Sequence, residues 1–386
     1  MGFNPNLIRT IDVEMRSSDI DALRNDLENY ISKIIDYPLE KFNGKGIVFT
    51  AGGVTHVTCL WVSINILREL GCCLPIEIWH VGNEISADVM TEFAGLNVQF
   101  LDLNDYEIID SPGYYVKPLA ILHSTFKEVL YMDADNICCR NPEYLFQLEA
   151  YKTTGTVFWA DYWFTDKENP IWKIVDCDNF GLREQESGQI LINKEQCWRA
   201  LNVCVYFNNL GRYYYRLLYG DKDTFKFSWV ALKLEFYMIP HNPATCGELR
   251  EGVFSGNTIV QFDQIGEPLF FHRNLLKWDV TLASERKWEY IKKFHASPKV
   301  EIVHLRTEKG KKVVDFNGDF DLSEVPVAIG CLEDTCLSFL KKWRESKSYY
   351  PFLEHMHFVN NRFKYKEAFK MKYDESVSDC TSDCWS

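Results

Sequence analysis

Two aspartates one residue apart, Asp133 and Asp135, close the apolar run in EVLYMDADNICCRNPEYLF, residues 128–146. Held side by side, two carboxylates raise each other's pKa unless a cation lies between them. A strand end is rigid enough to hold oxygen ligands at the ~2.1 Å that Mg²⁺ or Mn²⁺ requires, and these ions typically bind one or two carboxylates plus substrate phosphates. The D-x-D spelling alone says little, because the chain has five such triplets: Asp19/Asp21, Asp133/Asp135, Asp176/Asp178, Asp221/Asp223 and Asp319/Asp321. Only Asp133/Asp135 ends a strongly apolar strand, whereas the other four lie in polar surroundings that suit solvated turns. The chemistry that fits is departure of a diphosphate, whose growing charge a divalent ion and cationic side chains neutralise. Such a site calls for a third ligand and a cation from elsewhere in the chain. FFHRNLLKW supplies His272 at the end of an apolar run and Lys277 five residues on. A histidine after Phe-Phe is also an ordinary core residue; the Asp pair and Lys277 favour the ligand reading.

The elements that must position these groups alternate. GIVFT (residues 46–50) is a short strand opening into Ala51-Gly52-Gly53, and Val57, Leu60, Trp61, Ile64, Leu67 and Leu70 follow at helical spacing up to Gly71. LPIEIWHVG is a second strand; residues 91–103 hold a short helix and a third. Lys117-Pro118 starts another helix, with proline suited to a first turn, and FKEVLYMDAD is the fourth strand. This alternation predicts an α/β fold with a mostly parallel open sheet flanked by helices. Ligands bind such sheets beyond the carboxyl ends of the strands, so the Gly-Gly turn and the Asp pair should face one crevice. Residues 155–161 and 188–194 read as further strands, 224–239 as helical in part, and 259–271 as a last strand. Beyond 285 the pattern changes to a hairpin, a helix and a polar acidic tail. The expected division is a helical N-terminal extension (1–44), a catalytic domain (45–284), a small C-terminal α+β extension (285–371) and the tail (372–386).

The 42 Lys+Arg against 55 Asp+Glu give a net charge of −13. With no basic stripe, that balance excludes a nucleic-acid binder. The 13 cysteines are scattered without a zinc-type CxxC pair, which fits reduced thiols in a cytosol-like compartment. No N-x-[ST] acceptor, signal-type apolar segment or membrane-length apolar run occurs. The expectation is a soluble, cytoplasmic chain. Aromatic faces suit sugar rings as well as core packing, and the chain has 11 Trp and 20 Tyr, so composition alone does not choose between them.

GIVFTAGG, VKPLAILHSTFKEVLYMDADN, NPEYLF, GTVFWAD, ESGQILINK, GDKDTF and FHRNLLKW occur in that order. Together they resemble the fungal α-mannosyltransferases of glycosyltransferase family 71, over about residues 45–280, and more distantly the galactosyl- and glucosyltransferases of family 8. The resemblance implies a GT-A fold, a nucleotide-sugar donor with GDP-mannose favoured, Mn²⁺ (or Mg²⁺), a glycan or glycoprotein acceptor, and retention of anomeric configuration. It implies that Ala51, Gly52 and Gly53 line the nucleotide pocket, that Lys117 and Lys277 reach the diphosphate, and that Asp133, Asp135 and His272 are the metal ligands. Gln189 would stand beside the anomeric carbon, with Glu186, Asp223, Asp221 and Asp161 around the transferred sugar. The fungal relatives work in the Golgi lumen behind a membrane anchor that this sequence does not show. Competing readings are a UDP-sugar-dependent transferase, a haloacid-dehalogenase-type phosphatase with Asp133 as nucleophile, and a silent sugar-binding module.

Overall fold

The computed structural model describes residues 2–106, 115–178, 181–308 and 310–357. The acidic tail and the end of the expected C-terminal extension lie outside the described residues.

The first half alternates as its periodicity demands: β1 (Lys45–Thr50), α1 (Gly53–Glu69), β2 (Ile76–His80), β3 (Val98–Asp102), α2 (Val116–His123) and β4 (Glu128–Asp133). The four strands are mutually parallel in the order β3-β2-β1-β4. Their near-continuous apolar runs suit strands covered on both faces. Ile47, Val48, Phe49, Val129, Leu130, Tyr131 and Met132 are fully buried. The chain continues through β5 (Asn136–Cys138), β6 (Thr156–Thr165), β7 (Arg183–Asn193), α3 (Lys194–Asn209) and α4 (Lys222–Ala231). β7 inserts antiparallel between β4 and β6, and the N-terminal strand Ile8–Thr10 extends the sheet parallel to β6. The expected α/β class and mostly parallel open sheet are therefore what the chain forms.

A second, antiparallel sheet contains β8 (Ala244–Arg250), β9 (Val253–Phe262), β10 (Pro268–His272), β11 (Tyr290–Phe294), β12 (Glu301–Glu308), β13 (Lys311–Gly318) and β14 (Phe320–Glu324). Its remaining strand is β5, which pairs with β10. The chain thus leaves the first sheet at Asp133 and joins the second at Asn136. The single strand expected over 259–271 is two strands. Asp263 Oδ1 accepts from the N–H groups of Ile265 and Glu267, and Gly266 takes φ +87°, which turns the chain between them.

The periodicity of α1 indicated one apolar face, but the helix is buried on more than one. Helix α5 (Val327–Arg344) covers its outer side: Trp343 Nε1 donates to Thr58 Oγ1 at 3.0 Å, Trp61 Nε1 donates to the Phe339 carbonyl at 3.0 Å, and the two indoles stack at 5.6 Å. No helix among the described residues is long and apolar enough to cross a membrane. Apart from Cys177, the described cysteines are free thiols.

Candidate active site

The register of the first sheet places three chain segments at one edge. Thr50 pairs with Asp133, and Met132 pairs with Gln189. The strand end carrying Asp133 therefore lies between the Thr50-Ala51-Gly52 turn and the Glu186–Gln189 segment. The short turn through Ala134 and Asp135 then delivers the chain to β5, where Asn136 pairs with His272. That pairing carries His272 to a carboxylate 137 positions away in sequence. A cleft of about 980 Å³ opens at this edge, with Lys117, Asp133, Asp135, His272 and Lys277 at its centre.

Asp133, Asp135 and His272 each offer one ligand atom, all within 4.8 Å of one another. His272 Nε2 is 3.2 Å from Asp135 Oδ1 and 3.8 Å from Asp133 Oδ2. Six-coordinate ligands at ~2.1 Å from Mg²⁺ or Mn²⁺ lie about 3.0 Å apart when adjacent and about 4.2 Å when opposite. Two hard oxygens and one imidazole nitrogen at these spacings fit such an ion.

Without an ion, protein cations hold the acids. Lys117 Nζ is 3.0 Å from Asp133 Oδ1 and donates to Ser187 Oγ at 2.9 Å and the Ser187 carbonyl at 3.0 Å. Tyr131 OH donates to Asp133 Oδ1 at 2.9 Å. Lys277 Nζ donates to Asp135 Oδ2. Burial disfavours the Asp135 carboxylate, but His272 and Lys277 outweigh it and hold the group well below the ordinary carboxylate range. Burial likewise opposes the His272 cation, yet Asp135 and Glu186 carry its pKa up to about 10. Burial works against the Lys117 ammonium as well; Asp133 and Asp221 reverse that and raise its pKa.

Glu186 stands behind the imidazole. Its Oε1 is 3.2 Å from His272 Nδ1, a distance with ion-pair contact but poor hydrogen-bond alignment. Its Oε2 accepts from the Gly188 N–H at 2.9 Å. Burial opposes its ionisation, and His272 and Lys117 bring its pKa below the usual glutamate value. A Cβ at Gly188 would fall 2.5 Å from His272 Nδ1 and 2.8 Å from Glu186 Oε2, so only glycine leaves room for the imidazole.

The other expected residues divide. Ala51, Gly52 and Asp221 line the cleft; Gly53, one residue further on, takes φ +69° at the start of α1 and does not. Asp221 and Asp223, read as sugar contacts or a solvated turn, are both buried, Asp221 at the cleft wall and Asp223 against Arg9 of the N-terminal strand. Asp221 Oδ2 has Lys117 Nζ 3.5 Å away and accepts no well-aligned hydrogen bond among the described residues. Asp223 and Asp161 lie beneath the cleft wall in a sealed set of charges. Arg9 Nε donates to Glu184 Oε1 at 2.6 Å and Arg9 Nη2 to Asp223 Oδ2 at 3.0 Å, while Lys222 Nζ donates to Asp161 Oδ2 at 2.6 Å and Glu184 Oε2 at 2.8 Å. Gln189 is fully buried; Asn136 Nδ2 donates to its Oε1 at 2.6 Å, and its Nε2 finds no partner among the described residues. Ser187 has the cleft-facing position on that strand. Sequence reasoning missed Ser187, Tyr219 and Lys222 on this side of the cleft and His56, Trp79, His80 and Glu84 on the other. Ser187 and Lys222 were adjacent to singled-out residues; Glu84 and Arg9 stand in no motif.

A family model described as "Mannosyltransferase putative" matches residues 44–183 and 176–263. The alpha-1,2-mannosyltransferase MNN21 of Candida albicans is 28% identical over 291 residues, covering 59% of this chain and 44% of the relative. The alpha-1,2-mannosyltransferase MNN2 of Saccharomyces cerevisiae is 23% identical over 305 residues, covering 65% and 51%. The chain thus spans about half the length of these curated relatives. Among solved structures, the galactosyltransferase LgtC in complex with donor and acceptor sugar analogs has a TM-score of 0.34 at 16% identity, covering 48% of this chain and 70% of that one. The apo glycosyltransferase GlyE of Streptococcus pneumoniae has a TM-score of 0.36 at 16% identity, covering 51% and 45%.

Proposed function

Because the chain belongs to this mannosyltransferase family, we propose that it transfers a mannosyl group from a nucleotide-diphosphate sugar, GDP-mannose in preference to a UDP-sugar, to a hydroxyl of a glycan acceptor with retention of the α configuration. The observation that carries this reading is the arrival of His272 at Asp133 and Asp135 from a different sheet, inside a cleft that also holds Lys117, Lys222 and Lys277.

Asp133, Asp135 and His272 would hold Mn²⁺ or Mg²⁺, and the bound ion supplies positive charge where the diphosphate leaves. Lys117 and Lys277, each tied to one aspartate in the free protein, turn their ammonium groups to the diphosphate oxygens. These donors are aimed before reaction, so the departing charge meets them with little reorganisation. Glu186 orients the imidazole through Nδ1. Asp221, with a spare carboxylate oxygen on the cleft, accepts hydrogen bonds from hydroxyls of the transferred sugar. Gln189 supports positive charge at the anomeric carbon, either by turning its carbonyl oxygen away from Asn136 Nδ2 or through the Gly188–Gln189 backbone in front of it. Asp161 and Asp223 act from below by fixing Lys222.

Asp135→Ala tests the scheme. In an assay of mannose transfer from GDP-mannose with Mn²⁺, the variant should lose transfer by about 10³-fold, the scale on which removing a charge-stabilising group acts. Its thermal melt without metal should stay close to the wild type, and EDTA should silence the wild type. Full turnover by the variant, or by wild type in EDTA, overturns the reading.

A further inference from the structure

Glu84 is a carboxylate in the cleft that the chemistry above leaves unused. It closes the single turn Gly82–Glu84 just after β2. Its Oε2 accepts from the Val81 N–H at 3.2 Å, and its Oε1 accepts no hydrogen bond among the described residues. Burial raises its pKa, the Val81 N–H opposes that, and Asp102 adds to it; no ion pair to Glu84 forms among the described residues. The carboxylate packs on Gly52, where a Cβ would fall 2.3 Å from Oε2 and 3.0 Å from Oε1. Gly52 itself is extended at φ −159°, a conformation open to any residue. A side chain at position 52 would push the Glu84 carboxylate out of this place, so glycine there lets it sit against the turn.

The position matters as much as the charge. β1 and β2 lie on one side of Asp133 in the sheet, and β7 with Ser187 lies on the other. A diphosphate at the aspartates thus points one end toward Gly52, Trp79 and Glu84 and the other toward Ser187 and Asp221. A half-buried carboxylate with a spare oxygen and no cation is stabilised by N–H donors supplied from outside.

We propose that Glu84 accepts hydrogen bonds from the Watson–Crick edge of a guanine base and so selects a guanosine diphosphate donor. Guanine presents two adjacent donors, N1–H and the 2-amino group, which match the two oxygens of one carboxylate. Uracil presents one N–H between two carbonyl oxygens, which a carboxylate repels. The inference rests on the nucleotide-sugar reading above and names the residue that reads the base within it.

Calorimetric titration of the full chain with GDP, inosine diphosphate and UDP, each with Mn²⁺, tests it. Wild type should bind GDP about tenfold or more tightly than UDP, the scale set by a good bidentate contact to a base. Inosine diphosphate lacks the 2-amino donor and should fall between. Glu84→Gln keeps an oxygen for the Val81 N–H, so the turn survives. It should weaken GDP by about tenfold, leave UDP within about twofold, and close the gap between GDP and inosine diphosphate. Equal losses for GDP and UDP, the mark of a ribose contact, overturn the proposal, as does unchanged GDP affinity. A wild type that binds none of the three nucleotides is a different result, and removes the donor reading together with Glu84.

Discussion

Two clusters of charge lie within the same edge of the first sheet, and they are built differently. At the cleft, Asp133, Asp135, His272, Lys117 and Lys277 meet where solvent still reaches: the side chains of Asp133 and Lys277 are 24% and 30% exposed. Beneath the wall, the side chains of Arg9, Glu184 and Asp223 are all at 0%. In the open cluster each acid is held by a lysine whose flexible stem can turn elsewhere, so an incoming cation can take its place. In the sealed cluster Arg9, Glu184 and Asp223 are matched within the protein out of reach of solvent, and Lys222 joins them to the cleft wall. The first arrangement is adapted to exchange its partners, and the second to fix the loop carrying Gly220, Asp221 and Lys222 against the cleft.

The sharpest way to break this contrast is to remove one charge from each cluster and compare folding. Arg9→Met leaves Glu184 and Asp223 short of a cation in a dry interior, and losing one partner of a buried pair costs about 3–5 kcal/mol. Lys277→Met removes a partly exposed partner, for which about 1 kcal/mol or less is expected. Urea denaturation should show a lower midpoint at unchanged slope for Arg9→Met and little shift for Lys277→Met. Similar losses in both would mean that the two clusters do the same structural work.

A smaller perturbation sharpens the comparison from the other side. Gly188→Ala puts a methyl group 2.5 Å from His272 Nδ1 and 2.8 Å from Glu186 Oε2, which shifts the imidazole and its Glu186 support from their present positions without touching the sealed charges. Misplacing a group by about 1 Å can cost about 10²-fold in rate, so transfer should fall by about 10- to 100-fold. The rise in melting temperature that Mn²⁺ should give the wild type should shrink with it. If both persist, His272 does not hold the ion.

Much of the open cluster was legible because each of its residues ends a recognisable run: Asp133 an apolar strand, His272 another, Lys117 the first turn of a helix beginning with Lys-Pro. Register explains why they meet, and register is set by the pairing of β5 with β10, a three-residue contact with no periodicity of its own. The sealed cluster left almost no trace in the sequence. Arg9 is one arginine in a three-residue strand, and Glu184 stands in the polar run Arg183-Glu184-Gln185-Glu186, which reads as a solvated segment. Burial turned them into an ion-pair network, and burial depends on which strands lie side by side. The same limit applies to α1, whose outer face reads as partly polar until α5 covers it.

Lys194 shows what a buried charge does when no acid is brought to it. The first residue of α3 is fully buried. Its Nζ donates to the carbonyls of Ser124 at 2.6 Å and Leu122 at 3.2 Å and lies 3.4 Å from the centroid of the Phe42 ring. Burial pushes its pKa down to about 6, with Glu77 opposing the shift and Lys41 adding to it. A lysine whose folded pKa lies below its unfolded value binds fewer protons when folded, so stability rises with pH between the two values. The window runs from about 6 to the ordinary lysine value near 10.5. Across pH 7 to 9 the wild type should gain up to about 1.4 kcal/mol per pH unit relative to Lys194→Met, which has no proton to lose there. Equal pH slopes in paired urea melts would show that the two carbonyls and the Phe42 ring keep Lys194 charged, making it a satisfied cation like those of the sealed cluster.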